Sequence, residues 1–527
     1  MHSDSTIELN GTIRHPNPGS SWISGEPAPD TTPGTVDELL TEAARSHGQR
    51  TAVQTDSSVL TFAALDDLAD AVARALRDKV GSRRVIGIVA DLDPAFPAYY
   101  YGGIRSDNVV APINPLLPAP ALAHVLELSA PAAVLVSDRG FEQFLAKALG
   151  DERLKPVLHE PIRLDSGWLV RTGFERGSGL PDDAAALMFT SGSTGPAKAV
   201  CYSHANIRAN AEQLAAAHGL ADSGGLAHSR PIYYPMHMNA SVRVGTRQIL
   251  AGHRNVWESV VVADQLRATH LYSLPVRLEQ LAADPRFGDT ELRHLTMIGS
   301  GSTALSARAN ARIRSTLGMP CWQGYGLTET TSLISTERAG AERIGSVGAA
   351  VGGISVRIAP LDSATPDPVP TGTPGQIWAR GPAIMLGYYD GTAIHGSPGT
   401  WFPTGDYGSL DADGLLTVTD RIRDLVHRDG EVVSPSAVRR ALESHPGVEE
   451  CEVVGVRDGA AVRLVGFVNA AGGSTGLLEE LRDTYSEAAQ LNSIELVERL
   501  PRLPNGKVDR SALSDIARAD IARGAAQ

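Results

Sequence analysis

Thr190-Ser191-Gly192-Ser193-Thr194-Gly195-Pro196-Ala197-Lys198 places four hydroxyls, two glycines and a lysine within nine residues. Glycine lets a backbone turn its N–H groups toward a ligand, hydroxyls donate further hydrogen bonds, and lysine supplies positive charge. The combination describes a loop that holds phosphate oxygens, although Ser/Gly-rich turns also serve as plain linkers. The loop follows Ala184 to Phe189, an apolar run that reads as a buried strand, so it sits where a strand ends. Lysine usage favours the binding reading. Of 47 basic residues only five are lysines (Lys79, Lys147, Lys155, Lys198 and Lys507), and two of those lie inside motifs. A compact ammonium on a flexible stem is not interchangeable with a planar guanidinium.

Outward from this loop, strand and helix alternate. Val85 to Ala90 reads as a strand, Pro94 to Ser106 as a helix, Val109 to Ile113 as a strand, Ala119 to Ser129 as a helix and Ala132 to Ser137 as a strand. Past Tyr272 come the helix Pro275 to Ala283 and the strand Leu295 to Gly299. Repeated βα units predict parallel sheets covered by helices on both faces. From about Ile344 the texture changes to short strands between Gly, Pro and Asp turns: Ile354 to Ala359, Gly375 to Arg380 and Gly414 to Val418. That pattern suits an antiparallel barrel or sandwich. After Asp420 a helix over Val432 to His445, a strand pair over Glu449 to Arg457 and Val462 to Asn469, and a helix over Gly476 to Ser486 form a small α+β unit. The expectation is an α/β protein with a large domain over 1–420, holding two parallel-type subdomains and a barrel-like one. A small mobile domain over 421–527 follows, and the Pro-, Ser- and Gly-rich residues 1–33 form a loose arm.

At 527 residues the chain exceeds one compact core, and 42% hydrophobic with 20% charged residues is ordinary globular composition. A net charge of -13 argues against nonspecific nucleic-acid binding. Cys201, Cys321 and Cys451 are too few and scattered for a disulfide framework or a CxxC metal site, and fit a reducing compartment. No basic n-region leads into an apolar core, and no apolar run reaches the length of a membrane span, so a cytoplasmic enzyme is expected.

Further clusters punctuate the chain: Tyr325-Gly326-Leu327-Thr328-Glu329-Thr330, Trp401-Phe402-Pro403-Thr404-Gly405-Asp406, Asp420-Arg421-Ile422-Arg423-Asp424 and Leu503-Pro504-Asn505-Gly506-Lys507-Val508-Asp509-Arg510. A hydroxyl and carboxylate at a strand end suit a phosphate and its Mg²⁺, which prefers oxygen ligands shared with a nucleotide. An aspartate after glycine suits ribose hydroxyls, and equally a plain turn. In this order the clusters closely resemble the adenylate-forming superfamily of acyl- and aryl-CoA ligases, nonribosomal adenylation domains and luciferases, over nearly the whole chain.

The resemblance implies that Thr190, Ser191, Gly192, Ser193, Thr194, Gly195 and Lys198 hold the ATP β- and γ-phosphates. It places Ser302, Thr303 and Ala304 beside adenine, Tyr325 against its ring, Thr328 on the α-phosphate, Glu329 on Mg²⁺, and Asp406 with Arg421 on the ribose. Lys507 matches the lysine that bridges ATP and the substrate carboxylate, where a cation lowers the cost of bringing two anions together. Arg423 matches the hinge position about which the small domain swings, where the family usually has lysine or aspartate; a solvated interdomain charge is the alternative. Gly430 matches a glycine past which a pantetheine thiol reaches the adenylate; glycine also simply makes turns.

Some positions depart from the family pattern. Ala197 stands for proline, Ala199 for glycine, Gln376 for glutamate, and Ala437 and Arg439 for common glutamates, which leaves the second half-reaction less fixed than the first. From Ser223 to Trp257 there is no acidic residue, so no carboxylate awaits an α-ammonium, and a simple carboxylic acid rather than an α-amino acid is expected. His237 matches the residue that gates the acid pocket, Asn239 is placed to hydrogen-bond a substrate group, and Gly324 lies among Tyr233, Tyr234, Cys321 and Trp322; this mixture suits an aryl or medium acyl group. Packing or turn roles remain the alternatives for His237 and Asn239. Coenzyme A is the leading acceptor. The alternatives are the phosphopantetheine of a separate acyl carrier protein, since no carrier segment follows Lys507, or an amine; a non-catalytic ATP-binding homologue is the remaining class.

Overall fold

The computed structural model describes residues 12–14, 21–25, 33–174, 179–190, 195–229, 233–396, 399–445, 447–458, 461–470, 489–502 and 508–525. Ser191 to Thr194, Lys507 and the helix expected over Gly476 to Ser486 lie outside them.

The strand Ala184–Phe189 forms over the residues that the apolar run marks. It pairs antiparallel with Ala199–Ser203, Phe189 opposite Ala199, and parallel with Val109–Ile113 through Ala186 and Val110. Both belong to a nine-stranded sheet in which Val85–Val89 is buried along its whole length between Val109–Ile113 and Ala133–Val136. A strand buried on both faces reads as a continuous apolar run rather than an alternation, which is why this one was legible. The helix Phe62–Lys79, capped by the Thr61 side chain accepting from Ala64 N, packs on Phe96–Arg105. Contact is close because Gly102 has no side chain: a Cβ there would lie 2.6 Å from the Ala69 carbonyl oxygen.

A second nine-stranded sheet runs parallel through its centre, in the order Cys321–Tyr325, Met297–Ser300, His270–Ser273, Leu226–His228, Gln248–Leu250 and Thr51–Gln54. The third sheet is antiparallel throughout, with Thr12–Arg14, Trp22–Gly25, Ser355–Ala359, Gly375–Arg380, Phe402–Leu410 and Leu416–Arg421 in linear order. Part of the expected loose arm is therefore strand. Trp22 pairs with Arg357, and Ile23 is buried; two apolar residues in a polar segment find a sheet edge to cover.

The small domain opens with the hairpin Val426–Arg428 and Glu431–Val433. The helix expected from Val432 begins instead at Pro435 and runs to Ser444, because Ser434 caps it, accepting from Ala437 N, and Pro435 fixes the first turn. Strands Val448–Asp458 and Ala461–Ala470 pair antiparallel, Ser493–Leu496 adds in parallel, and the helix Arg510–Ala525 packs on Val448–Asp458. The expected seam at 420/421 falls inside the strand Leu416–Arg421; the single turn Ile422–Asp424 follows it. Among the described residues no helix is long and apolar enough to cross a membrane.

Candidate active site

Parallel strands deliver their following loops to one edge. In the second sheet Tyr272 is paired with Gly299, and Ser300 with Gln323. The segments leaving these strands, Gly301 to Ala304 and Gly326 to Thr330, therefore emerge side by side, and the helix Pro235–Arg243 starts beyond the same end of Leu226–His228. Ser302, Thr303 and Ala304 are exposed there, Ser302 at φ +90°, while Leu305 N is fixed by Gln323 Oε1 at 2.9 Å.

The Tyr325–Thr330 segment is tied from three directions. Tyr202 donates to the Thr328 carbonyl, Tyr388 donates to Glu329 Oε1 at 2.8 Å, and Met385 N donates to the Glu329 carbonyl at 2.9 Å. These partners come from the first sheet and its neighbouring turn, so two sheets clamp one motif. Gly326 is obligatory, since a Cβ would lie 1.4 Å from the Ser332 carbonyl oxygen. Thr331 at φ 50° and Ser332 at φ 106° hold a left-handed turn just behind, a strain of the kind stored at functional sites. Glu329 Oε2 has no hydrogen-bond partner among the described residues. No group of three or more His, Cys, Asp or Glu stands together among them as a metal cage, so a cation here would lean on Glu329 and on its own anionic ligand.

Ala199–Ser203 continues directly from Lys198 into this region. Thr190 N donates to the Lys198 carbonyl and Lys198 N to Thr190 Oγ1, both at 3.0 Å, which pins the two ends of the loop together. His124 Nε2 meets the Ala197 carbonyl at 2.8 Å, an anchor at the position where proline was expected. Lys198 Nζ lies 4.8 Å from the centre of the Tyr388 ring, the same tyrosine that holds Glu329. One aromatic side chain thus joins the loop lysine to the Thr328-Glu329 motif.

The third sheet supplies the remaining polar group. Asp406 and Arg421 are cross-strand partners, with Arg421 Nε 2.9 Å from Asp406 Oδ1, and Tyr325 donates to Asp406 Oδ2 at 2.6 Å. Asp406 is 2% exposed; burial pushes its carboxyl above the usual range, opposed by the Arg421 guanidinium and the Tyr325 hydroxyl. Burial likewise raises Tyr325 and Tyr388, the latter also through the Glu329 carboxylate, so both phenols stay protonated donors.

His237 sits on Pro235–Arg243, buried, its ring 4.0 Å from the Tyr272 ring and edge-on to His228 at 6.2 Å. Asn239 is bonded within the core. Tyr101 donates to its Oδ1 at 2.8 Å and its Nδ2 donates to Tyr100 at 3.3 Å, so each end of the amide has a partner in a buried tyrosine cluster. Of its two expected roles, this bonding supports packing. Gly324 leaves space beside Leu333, whose Cδ1 would lie 3.1 Å from a Cβ. Gly430 follows Asp429 in the hairpin turn, at φ 82° and 52°, with open space where its Cβ would stand. Arg423, half-exposed, is 3.8 Å from Asp424 at the seam.

Lys198, Glu329, Tyr325, Asp406 and Arg421 are thus brought together from three sheets by direct contacts, which the structure does not show for Arg423 or Gly430, while Ser191 to Thr194 and Lys507 lie outside the described residues. Tyr202, Tyr388 and Tyr272 carry no motif in the sequence. Tyr202 and Tyr388 are found only by contacts across sheets and Tyr272 by its contacts with His237 and His218, and a tyrosine in an apolar strand has no distinguishing local signal.

The chain resembles known proteins along its length. A feruloyl-CoA synthase of an Amycolatopsis species is 30% identical over 492 residues, 88% of this chain and 95% of that protein. A long-chain-fatty-acid–CoA ligase of Escherichia coli is 25% identical over 561 residues, 95% of this chain and 99% of the ligase. In fold, the crystal structure of the anthranilate CoA ligase AuaEII with anthranoyl-AMP superposes with a TM-score of 0.78 at 22% identity, covering 94% of this chain and 98% of that one. Residues 40–389 match the AMP-binding enzyme family and 438–507 the AMP-binding enzyme C-terminal domain. Over these two stretches the chain is a member of the AMP-binding enzyme family, the adenylate-forming superfamily to which it therefore belongs.

Proposed function

We propose that this enzyme activates a compact carboxylic acid with ATP and passes the acyl group to the thiol of coenzyme A. The observation that supports the reading is the contact chain from Lys198 through Tyr388 to Glu329, and from Tyr325 of the same motif to the Asp406–Arg421 pair. In the first step a carboxylate oxygen bonds to the α-phosphorus as the bond to the bridging oxygen breaks, and pyrophosphate leaves. In the second the thiol sulfur attacks the acyl carbon, AMP leaves, and the thiol proton passes to solvent.

Asp406 and Arg421 hold the ribose, Ser302 to Ala304 and Tyr325 flank the base, and Thr328 meets the α-phosphate. Thr190 to Lys198 hold the outer phosphates, and Lys507 bridges carboxylate and triphosphate. Mg²⁺, when bound, offsets phosphate charge, and Glu329 with its spare oxygen is the side chain that would hold it. The small domain over 421–527 turns at Arg423 between steps, and Gly430 gives the thiol passage. The relatives named above act, by their names, on aryl and fatty acids, and the acid-free segment Ser223 to Trp257 argues against an α-amino acid here. Metabolism of such a coenzyme A thioester fits a cytoplasmic location.

Pyrophosphate exchange tests the reading. The purified protein with ATP, Mg²⁺ and an acid panel of benzoate, 4-hydroxycinnamate, octanoate and anthranilate should exchange pyrophosphate with at least one of them. Coenzyme A should then consume the adenylate. Consumption only by a carrier-protein phosphopantetheine or by an amine would assign a different acceptor, and exchange with no acid would remove the adenylating activity.

A further inference from the structure

Thr190 follows the carboxyl end of Ala184–Phe189, a strand parallel to Val109–Ile113 and through it to Val85–Val89. At the opposite, amino end of the same sheet lies a cavity of about 500 Å³ that no sequence motif marks. Val85–Val89 is five residues long, so about 17 Å separates the two ends. Arg84 leads into Val85–Val89, Arg171 stands at the end of Gly167–Thr172 and His159 at the start of Leu158–Leu164, so the walls come from neighbouring strands of one sheet. Lys79, the last residue of the helix Phe62–Lys79, closes the cavity from the side, and Val80 and Phe174 give it an apolar wall. A concavity of this size is that of a small-molecule site.

Its charge is one-sided. Lys79, Arg84 and Arg171 line it and no acidic residue does, in a chain whose net charge is -13. Lys79 Nζ lies 3.2 Å from the exposed Asp78 carboxylate. Arg84 and Arg171 are exposed, and their guanidinium groups have no partner among the described residues. Arginines close by do find carboxylates: Arg83 pairs with Asp182, Arg163 with Asp138 and Arg153 with Asp151. Cations that share a cavity repel one another, and an anion between them removes that cost. The strands following Arg84 and bearing Arg171 flank Ala133–Val136 on either side, which sets the two backbones about 10 Å apart. Two planar forks entering from separate strands suit an anion with charge on more than one phosphorus.

We propose that this cavity is a phosphate-binding site separate from the adenylating site: Arg84, Arg171 and Lys79 take a ligand with two or more linked phosphates, either free or as the phosphates of a nucleotide. The inference stands on the cavity and its cations, and does not depend on the acid-activating reading.

The test is isothermal titration of the full-length protein with inorganic pyrophosphate and, separately, with ADP, at about 0.15 M salt, where diffuse attraction is screened. The double variant Arg84→Ala/Arg171→Ala should take one equivalent fewer than the wild type. Either single substitution should weaken that site about tenfold or more, the scale of one charged hydrogen bond. Arg83→Ala, beside the cavity but paired with Asp182, should titrate like the wild type. Both cavity arginines are exposed, so urea midpoints of all variants should match the wild type, which separates a lost site from a lost fold. A lost site tighter for ADP than for pyrophosphate assigns a nucleotide, and the reverse assigns a free polyphosphate. Equal stoichiometry and affinity in the wild type and the double variant would overturn the proposal. Equal weakening in Arg83→Ala would overturn it too, since that marks diffuse charge. Exchange with no acid would remove the adenylating activity and leave this site standing.

Discussion

Asp406 divides its two oxygens between a guanidinium and a phenol while nearly sealed from water, and a carboxylate so placed tolerates little change. Asparagine keeps the shape and removes the charge, leaving Arg421 without its counter-ion and one amide N–H₂ facing a donor. Asp406→Asn should raise KM for ATP about tenfold or more, the ~1.4 kcal/mol of one weakened charged hydrogen bond, with KM for the acid within about twofold. Initial rates at varied ATP check it. Tyr325→Phe removes the lesser partner and should cost only about 1 kcal/mol of stability, read by urea unfolding. Asp406 and Arg421 were legible in the sequence because each stands in a short ordered motif. Tyr388 was not, although it touches both Lys198 and Glu329, because its meaning comes from two segments of distant sequence meeting at one ring. Asn239 shows the reverse case: a polar residue in this segment fits a ligand or a packing role equally in the sequence, and only the coordinates reveal Tyr100 and Tyr101 bonded to it.

The hairpin Val426–Arg428 to Glu431–Val433 turns on Asp429 and Gly430, both at positive φ, the pair that a two-residue turn of this twist requires. No atom lies within 4 Å of a Cβ at Gly430, so alanine meets no clash and bears only the conformational cost, about 1 kcal/mol. That separates the two readings of this glycine. If it keeps a thiol passage open, Gly430→Ala should leave pyrophosphate exchange within about twofold and slow thioester formation about tenfold or more, whereas a turn-only role leaves both steps alike. A second element, the helix His204–Ala217, carries a pH signature at its end. His218 is held at about 3 against an ordinary 6.5, so it stays neutral in the fold while the unfolded chain takes up a proton. Stability is therefore complete above about 6.5 and falls as pH drops toward 3, by about 2 kcal/mol between pH 7 and 5. Urea midpoints at the two pH values should show that loss, and His218→Gln should reduce it. Helix and strand identity along the large domain were readable from apolar runs, while the start of Pro435–Ser444 was misplaced because Val432 continues the apolar period across a hairpin that Ser434 and Pro435 terminate.

At the scale of the whole molecule, the joint between domains is built around Asp420. Its Oδ2 accepts from Ser434 Oγ and Ser436 N, both at 2.9 Å, and its Oδ1 from Arg421 N at 3.0 Å and Arg510 Nη1 at 3.4 Å. Arg510 also reaches Asp424 Oδ2 at 3.1 Å and the Val453 carbonyl at 3.0 Å. One buried carboxylate thus ties the last strand of the third sheet to the first and last helices of the small domain. Lys507 stands three residues before Arg510 in the sequence. If the domain alternates, this cation serves only the step in which two anions must meet, and the thiol step proceeds with another face presented. Lys507→Ala should then slow pyrophosphate exchange about 100-fold or more, the scale of removing one preorganised charge from a transition state. Conversion of a supplied acyl-adenylate to the coenzyme A thioester should stay within about threefold of wild type, since no charge from Lys507 is needed there. Single-turnover assays of the two half-reactions measure both numbers on one preparation, and equal damage to both would mean that Lys507 acts from a fixed position and that the joint at Asp420 does not turn.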